Sequence, residues 1–161
     1  MRKIGIIAVL SLMALALAAV PAIAASPFTG SPHFINSATN ASVDDSGTLI
    51  VNFKEAGLSN GSIESFTLTG TATADYQCFN NGGKHPKAAN KETVSEDESD
   101  NVDVQVMNGS ASGTLMLEPP GPGEFSCPSG QTLVGPTNVV YTDVLLTDVT
   151  SGEFVDFGTV R

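Results

Sequence analysis

Residues 66–78 read Phe-Thr-Leu-Thr-Gly-Thr-Ala-Thr-Ala-Asp-Tyr-Gln-Cys, and they carry the clearest structural pattern in the chain. Apolar or small residues alternate with polar ones over the whole run. Because side chains alternate between the two faces of a strand, this period predicts a half-buried β-strand with a ladder of threonines toward water. The small residues Gly70, Ala72 and Ala74 lie on the inner face, where they predict close approach of a facing sheet.

Short β-branched or alternating runs recur on both sides of this segment, separated by turns rich in Gly, Pro and Asn. The predicted strands are an edge strand near 34–35 and runs at 48–53, 66–78, 102–106, 112–117, 131–134, 138–149 and 153–157. Asn108-Gly109 between two alternating runs predicts a β-hairpin, and the polar segment 79–101 is expected to form a long loop. Seven or eight short strands without an amphipathic helix predict an all-β fold, an antiparallel β-sandwich of immunoglobulin-like topology.

The first residues have the order of a secretory signal peptide. Arg2 and Lys3 precede an apolar run, which is followed by the small-x-small site Ala22-Ile23-Ala24. This order predicts a cleaved signal over residues 1–25 and a single secreted, extracellular domain with an N-terminal lead-in over 26–161. An uncleaved membrane anchor is the alternative, because the apolar run is marginally long enough to span a bilayer. The cleavage site favours release, and no membrane contact is expected afterwards.

The chain is acidic, with seven basic and 17 acidic residues and a formal net charge of −10. Loss of Arg2 and Lys3 with the signal would leave five basic residues against the same 17 acidic ones, a net charge of −12. Such a surface repels phosphate groups. Nucleic acid and anionic membranes are therefore not expected partners.

The chain has two cysteines, Cys78 and Cys127. Export implies an oxidising compartment, so the pair predicts one disulfide. A reactive thiol pair is the alternative, but redox pairs usually lie close in sequence, as in Cys-x-x-Cys, and these two do not. Because Cys78 belongs to the inner face of its strand, the bridge is expected to join two sheets.

The segment after the central strand, residues 79–91, is the densest cluster of amide, Gly, Pro and Lys residues in the chain. Its amides and the backbone of Gly82-Gly83 suit hydrogen bonds to sugar hydroxyls, an aromatic ring suits stacking, and its lysines suit an anionic group. An Ω-like loop whose Asn and Gly residues serve its own turns is the alternative. The candidate ligand-binding residues are Tyr76, Phe79, Asn80, Asn81, His85, Asn90 and Lys91.

An acidic run occupies residues 92–103. Carboxylates are Ca²⁺ ligands, but the spacing lacks the Asp-x-Asp-x-Asn-Gly order of an EF-hand loop. The pattern therefore favours a solvated acidic loop. The two histidines, His33 and His85, belong to no Gly-x-Ser-x-Gly or His-Glu-x-x-His motif. The sequence predicts neither an enzyme nor a metal or cofactor site.

Three segments carry a resemblance to a known group of proteins. Residues 76–91 follow the pattern Tyr-x-Cys-x-Asn-x-Gly-Gly-x-x-Pro-x-Ala-x-Asn-Lys, residues 113–120 read Gly-Thr-Leu-Met-Leu-Glu-Pro-Pro, and residues 125–131 read Phe-Ser-Cys-Pro-Ser-Gly-Gln. With these segments the chain resembles small secreted β-domain proteins that are frequent in actinomycetes. The resemblance implies a secreted β-domain with Cys78 paired to Cys127, and it implies no activity.

Export, the lack of a catalytic constellation and the composition of residues 79–91 together predict a non-catalytic extracellular module. Its expected ligand is a polysaccharide, a cell-wall component or a protein, bound through that segment. A structural or self-associating surface protein is a second hypothesis. A secreted hydrolase or a hydrolase inhibitor is a third.

Overall fold

The structure is a computed structural model, and it describes residues 30–80 and 90–161. A 3₁₀ turn over Asn36–Ala38 separates the first two strands. No helix in these ranges has the length and apolar character of a membrane span, and the predicted signal peptide lies outside the described residues. The strands are β1 (His33–Phe34), β2 (Asn40–Val43), β3 (Leu49–Ala56), β4 (Ile63–Asn80), β5 (Lys91–Gln105), β6 (Ser110–Leu117), β7 (Gln131–Asp148) and β8 (Phe154–Val160).

The strands form two antiparallel sheets that pack against each other. In sheet A, β1 and β2 pair with the two halves of one edge of β3, and β6 pairs with the other edge. Sheet B has the order β5-β4-β7-β8. In immunoglobulin-like sandwiches strand B lies between A and E, and strand F lies between C and G. The orders β2-β3-β6 and β4-β7-β8 reproduce this arrangement, so the predicted antiparallel β-sandwich of seven or eight strands is confirmed.

The core lies between the inner faces of the two sheets. Every second residue of β4 from Glu64 to Cys78 is buried, as the alternation predicted. The close approach predicted at Gly70 is also confirmed, because a Cβ built there would lie 3.3 Å from Val144 Cγ2 and 3.4 Å from Leu117 Cδ1. The buried core residues are Leu49, Val51, Phe53, Leu58, Phe66, Leu68, Ala72, Val106, Ala111, Leu115, Leu117, Tyr141, Val144 and Leu146.

The acidic segment is part of sheet B, so the prediction of a long polar loop over 79–101 was wrong for residues 91–101, which form a strand, whereas residues 81–89 lie outside the described residues. β5 begins at Lys91 and pairs along its whole length with β4. Polar groups of the two strands bond to each other in four cross-strand pairs: Ser65–Asp103, Thr71–Asp97, Thr73–Ser95 and Thr93–Asp75. Charges on an edge strand also discourage pairing with another chain. The acidic run 92–103 therefore belongs to a sheet edge and not to a solvated loop.

The hairpin predicted at Asn108-Gly109 is wrong beyond its turn. A bridge between Met107 and Ser110 closes the turn, but β5 then pairs with β4 and β6 pairs with β3, in different sheets. The two strands meet at the edge of the sandwich, where Asp100 Oδ2 accepts a hydrogen bond from the Met116 backbone N–H (2.9 Å). The Asn-Gly turn reverses the direction of the chain here. The partner of each strand is decided by the sheet in which its apolar face is buried.

Two further strand predictions need correction. β2 was not predicted, because Asn-Ala-Ser-Val carries little strand pattern of its own. The runs predicted separately at 131–134 and 138–149 are one strand, β7. Its register against β4 shifts in three places, between Thr69 and Gln77. Because each bulge interrupts the alternation of side chains between the two faces, the hydrophobic pattern of the sequence does not show that the strand is continuous.

The predicted disulfide between Cys78 and Cys127 is confirmed, with 5.5 Å between the two Cα atoms. It does not join the two sheets, so that part of the prediction was wrong. Cys78 lies near the end of β4, whereas Cys127 lies in the connection 118–130 between β6 and β7. The bridge therefore fastens a connection rich in Pro and Gly to sheet B.

A buried tyrosine of β7 links this strand to the turn before β3 and to the end of β6. Tyr141 is fully buried, and its hydroxyl lies 2.8 Å from the carbonyl oxygens of Gly47 and Leu117. Burial raises the pKa of Tyr141 to about 12, so the hydroxyl keeps its proton.

We expect Tyr141→Phe to lower the free energy of unfolding by about 1–3 kcal/mol, because it removes the donor from two carbonyl groups. Urea unfolding measures this loss, and an unchanged midpoint with an unchanged m-value would contradict it.

Candidate functional site

A shallow depression lies on sheet B near the end of β4 that carries Cys78. It encloses about 170 Å³, and three strands contribute to its wall. β4 ends at Asn80 and β5 begins at Lys91, so the strands that flank the predicted ligand segment form this end of the sheet. We call this feature the Asp75 depression. Its lining residues are Asp75, Tyr76, Gln77, Lys91, Glu92, Thr93 and Asn138.

Asp75 is the centre of a hydrogen-bond network in the depression. Thr93 Oγ1 donates to its Oδ1 (2.6 Å), and Asn138 Nδ2 donates to its Oδ2 (3.0 Å). Thr137 Oγ1 donates to the backbone carbonyl of Asp75 (3.1 Å). The bonds from Thr93 and Asn138, with the nearby charge of Lys91, hold the pKa of Asp75 below its usual value. The carboxylate is therefore ionised and fixed in position.

The bulges of β7 bring Asn138 to this position. The β4–β7 register shifts on both sides of Asp75, and Asn138 has a φ of 51°, a conformation that Asn adopts more readily than most residues. Gly135 is required in the neighbouring bulge, between Thr137 and Val134, because a Cβ there would lie 2.5 Å from Cδ1 of the Tyr76 ring. Bulges commonly re-aim a side chain next to a functional site, and here they aim an amide at the Asp75 carboxylate.

Tyr76 supports the depression from the core side. Its side chain is 4% exposed, and its hydroxyl donates to the Pro120 carbonyl (2.6 Å). Burial raises the pKa of this hydroxyl. The predicted stacking of Tyr76 on a ligand does not fit this position. The residue instead joins β4 to the connection that the Cys78–Cys127 bridge also holds.

Two other predicted ligand-binding residues lie on the same outer face as Asp75. Lys91 lines the depression and is paired opposite Gln77. Phe79 is half-buried and lies four residues beyond Asp75 in β4. Because strand side chains alternate, an even separation puts both on one face, about 13 Å apart along the strand. An aromatic ring and an ammonium group therefore accompany the fixed carboxylate.

The remaining predicted ligand-binding residues are divided between the sheet end and the undescribed segment. Asn80 is exposed at the end of β4. Asn90 donates from Nδ2 to Gln131 Oε1 (2.9 Å) and so ties the approach to β5 to the start of β7. Asn81 and His85 lie outside the described residues.

A second depression lies farther along the same face of sheet B. Asp143, with a φ of 53°, occupies the third bulge of β7 beside it. Between the two depressions the hydroxyls of Thr73 and Ser95 lie 3.0 Å apart. Polar groups thus continue over about 25 Å of strand. The second depression encloses about 390 Å³ and is lined by Thr69, Gly70, Thr71, Asp97, Glu98, Ser99 and Asp143.

The side chains in the Asp75 depression are equipped for hydrogen bonding. His33, the one histidine in the described ranges, lies on β1 in sheet A, with Nδ1 2.8 Å from the Ser31 carbonyl oxygen. Within those ranges no group of three His, Cys, Asp or Glu side chains is arranged to hold a metal ion. The depression therefore offers a ligand two carboxylates, Asp75 and Glu92, one ammonium group and a set of amides and hydroxyls.

Sequence reasoning missed Asp75 and Asn138 as site residues. Asp75 is the one charged residue in the predicted threonine ladder, and that interruption was the signal available. Asn138 gave none, because its placement depends on a bulge that no local pattern of β7 indicates.

No protein-family model, curated protein or solved structure matches this chain. The resemblance of residues 76–91, 113–120 and 125–131 to small secreted actinomycete proteins therefore stays a prediction.

Proposed function

We propose that this protein is a secreted, non-catalytic binding module whose ligand is a polysaccharide of the cell envelope or of the environment, bound at the Asp75 depression. The observation that carries the proposal is the fixed polar network in which Thr93 and Asn138 hold the Asp75 carboxylate beside Lys91. Groups that are already ordered lose little conformational freedom when a ligand arrives. Such a network is thus organised for recognition before the ligand binds.

The shape of the surface favours an extended, hydroxyl-rich ligand. Sites for compact small molecules are usually concave and mostly apolar, whereas the outer face of sheet B is shallow and lined by Thr, Ser, Asp and Asn. Sugar hydroxyls can replace water on such groups one bond at a time, directly or through bridging waters. A chain of sugars long enough to cover both depressions would sum many weak contacts, and the half-buried ring of Phe79 adds an apolar surface at one end.

Export and charge support the same proposal. The disulfide between Cys78 and Cys127 is typical of proteins in an oxidising compartment. Such a compartment agrees with the export that the predicted signal peptide implies. The net charge of −10 disfavours polyphosphate partners. A largely neutral polysaccharide meets no such repulsion.

We expect the double change Lys91→Ala with Asn138→Gly to weaken binding about tenfold or more, because it removes one charged and one amide contact. Gly is chosen at 138 because it accepts the φ of 51° and so removes the amide without strain. The measurement is retention of the purified, oxidised protein on a panel of insoluble polysaccharides and isolated cell walls. The matched control is Lys54→Ala, which removes the same charge from the exposed face of sheet A.

Retention on one matrix that is lost in the double variant and kept in Lys54→Ala would support the proposed site. Equal retention of all three proteins would keep a binding function but move it away from the Asp75 depression. Retention on no matrix, together with concentration-dependent sedimentation, would overturn the proposal in favour of a self-associating surface protein.

A further inference from the structure

Three carboxylic acids are buried together at the end of the sandwich opposite the disulfide. Glu55 of β3, Glu64 of β4 and Asp148 of β7 are each at most 2% exposed. Glu55 belongs to sheet A, whereas Glu64 and Asp148 belong to sheet B. The cluster therefore spans the interface between the two sheets. Along β4 it lies about 45 Å from Cys78, at 3.3 Å for each residue.

The hydrogen bonds of these acids leave a deficit of donors. Ser62 Oγ donates to Glu64 Oε1 (2.6 Å), and the Thr150 backbone N–H donates to Asp148 Oδ1 (2.8 Å). The other four oxygens, both of Glu55 with Glu64 Oε2 and Asp148 Oδ2, are buried without any hydrogen-bond donor. A buried carboxylate oxygen without a hydrogen-bond donor lowers the stability of the fold. The cluster is therefore expected to hold a donor that the N–H and O–H groups around it do not supply.

The groups that face Glu55 are all neutral or acidic. Asp148 and Glu64 approach it from sheet B, and Glu153 acts on it from the turn before β8. Its strand neighbours in β1 and β6 are Phe34 and Ala111, which do not titrate. Lys54 precedes it in β3 but is exposed on the opposite face, and His33 is exposed on β1. No cation in the described ranges faces the cluster.

A proton held between Glu55 and Asp148 reduces both the shortage of donors and the number of buried charges. As a protonated acid, Glu55 donates O–H to the unpartnered Asp148 Oδ2, which supplies the missing donor and removes one of the buried charges. The two carboxyl groups already lie within hydrogen-bonding reach of each other. Within the described residues no group of three acids, histidines or cysteines is arranged to hold a metal ion.

We propose that Glu55 and Asp148 share one proton in the folded protein, and that this proton joins sheet A to sheet B and makes the fold sensitive to alkaline pH. Burial first, and then the charge of Asp148, raise the pKa of Glu55 from 4.5 to about 8. Between these two values the folded protein binds one proton more than the unfolded chain. The stabilisation is therefore complete below about pH 4.5, declines as the pH rises, and is lost above about pH 8.

The test compares urea unfolding of the oxidised wild-type protein and of Glu55→Gln between about pH 5 and about pH 9. Gln carries no titrating proton and still donates an N–H to Asp148. We expect the wild-type unfolding constant to rise by up to about tenfold per pH unit toward pH 8, and that of Glu55→Gln to stay level. The exposed Glu124→Gln is the matched control and should follow the wild type.

Two further measurements keep the proposal open to refutation if Glu55→Gln fails to fold. Asp148→Asn retains an acceptor for Thr150, offers Glu55 a donor and removes the charge of Asp148, so its stability should decline less steeply with rising pH than that of the wild type, although the burial of Glu55 remains. Carbon-13 carboxyl shifts of the wild-type protein should show one Glu titrating near pH 8. Parallel pH profiles for wild type and Glu55→Gln would overturn the proposal. A calcium-dependent rise of the wild-type midpoint that Glu55→Gln abolishes would also overturn it, because the cluster would then hold a cation.

Discussion

Replacing Cys78 and Cys127 together by Ala is expected to lower the free energy of unfolding by about 4 kcal/mol. The two residues are 49 positions apart, and the chain-entropy model assigns about this value to a bridge that restrains so long a loop of the unfolded chain. Domains of this size are stable by about 5–15 kcal/mol, so the loss would be a large share of the total. Ala is preferred to Ser because Cys78 is fully buried and a hydroxyl there would need a partner.

Urea unfolding followed by far-UV circular dichroism measures this loss, since the chain contains no Trp. The matched control is the wild-type protein under reductant, which should unfold at the midpoint of the variant, while the variant itself should not respond to reductant. The m-value should rise without the bridge, because a less restrained unfolded chain exposes more surface. If the variant were as stable as the oxidised wild type, the hydrogen bond from the Tyr76 hydroxyl to the Pro120 carbonyl would be what holds this connection.

The strand β4 could be predicted in detail because both of its faces follow one rule. It lies at the centre of sheet B with a strand on each side, so its inner residues must be apolar or small and its outer residues can be polar. The same reasoning predicted an antiparallel sandwich and the pairing of Cys78 with Cys127. The sandwich depends on which residues are buried, and the hydrophobic period of the sequence indicates this. The disulfide follows from the presence of only two cysteines in a chain with a predicted signal peptide.

The acidic first part of β5, residues 91–101, was missed because its stability comes from its partner strand, whereas its last residues were predicted as a strand at 102–106. Its acidic residues look like loop residues when taken alone, and they become strand residues because Ser65 and Thr71 of β4 donate to Asp103 and Asp97. The hairpin at Asn108-Gly109 failed for a related reason. An Asn-Gly turn indicates that the chain reverses, but it carries no information about which sheet receives each strand.

The candidate site was only partly predictable for the same physical reason. Composition marked the segment that contains Lys91 and Phe79, and both residues lie on the face of the Asp75 depression, while their role in binding stays a prediction. Tyr76 was misjudged because aromatic character suggests stacking, whereas its position on the inner parity of β4 already implied burial. Asn138 could not be found, since a two-strand register shift determines its direction.

Phe66→Ala is expected to lower the free energy of unfolding by about 4 kcal/mol. Phe66 of sheet B is fully buried, with its ring centroid 4.4 Å from that of Phe53 and 6.2 Å from that of Phe34, both of sheet A. Truncation removes the transfer energy of the ring and both aromatic contacts, and it leaves a cavity between sheets that are joined here by no covalent bond. Asp148 is the β7 partner of Phe66 in register, so the cavity opens beside the buried acids.

Phe154→Ala is the matched control, because it removes the same ring from a site that is 63% exposed. Its unfolding free energy should change by no more than about 0.5 kcal/mol. Both variants are to be compared at about pH 5 and about pH 8, since water admitted beside Asp148 would solvate the cluster and shrink the alkaline loss of stability in Phe66→Ala. Equal losses for the two substitutions would mean that the contacts of Phe66 with Phe34 and Phe53 do not hold the two sheets together.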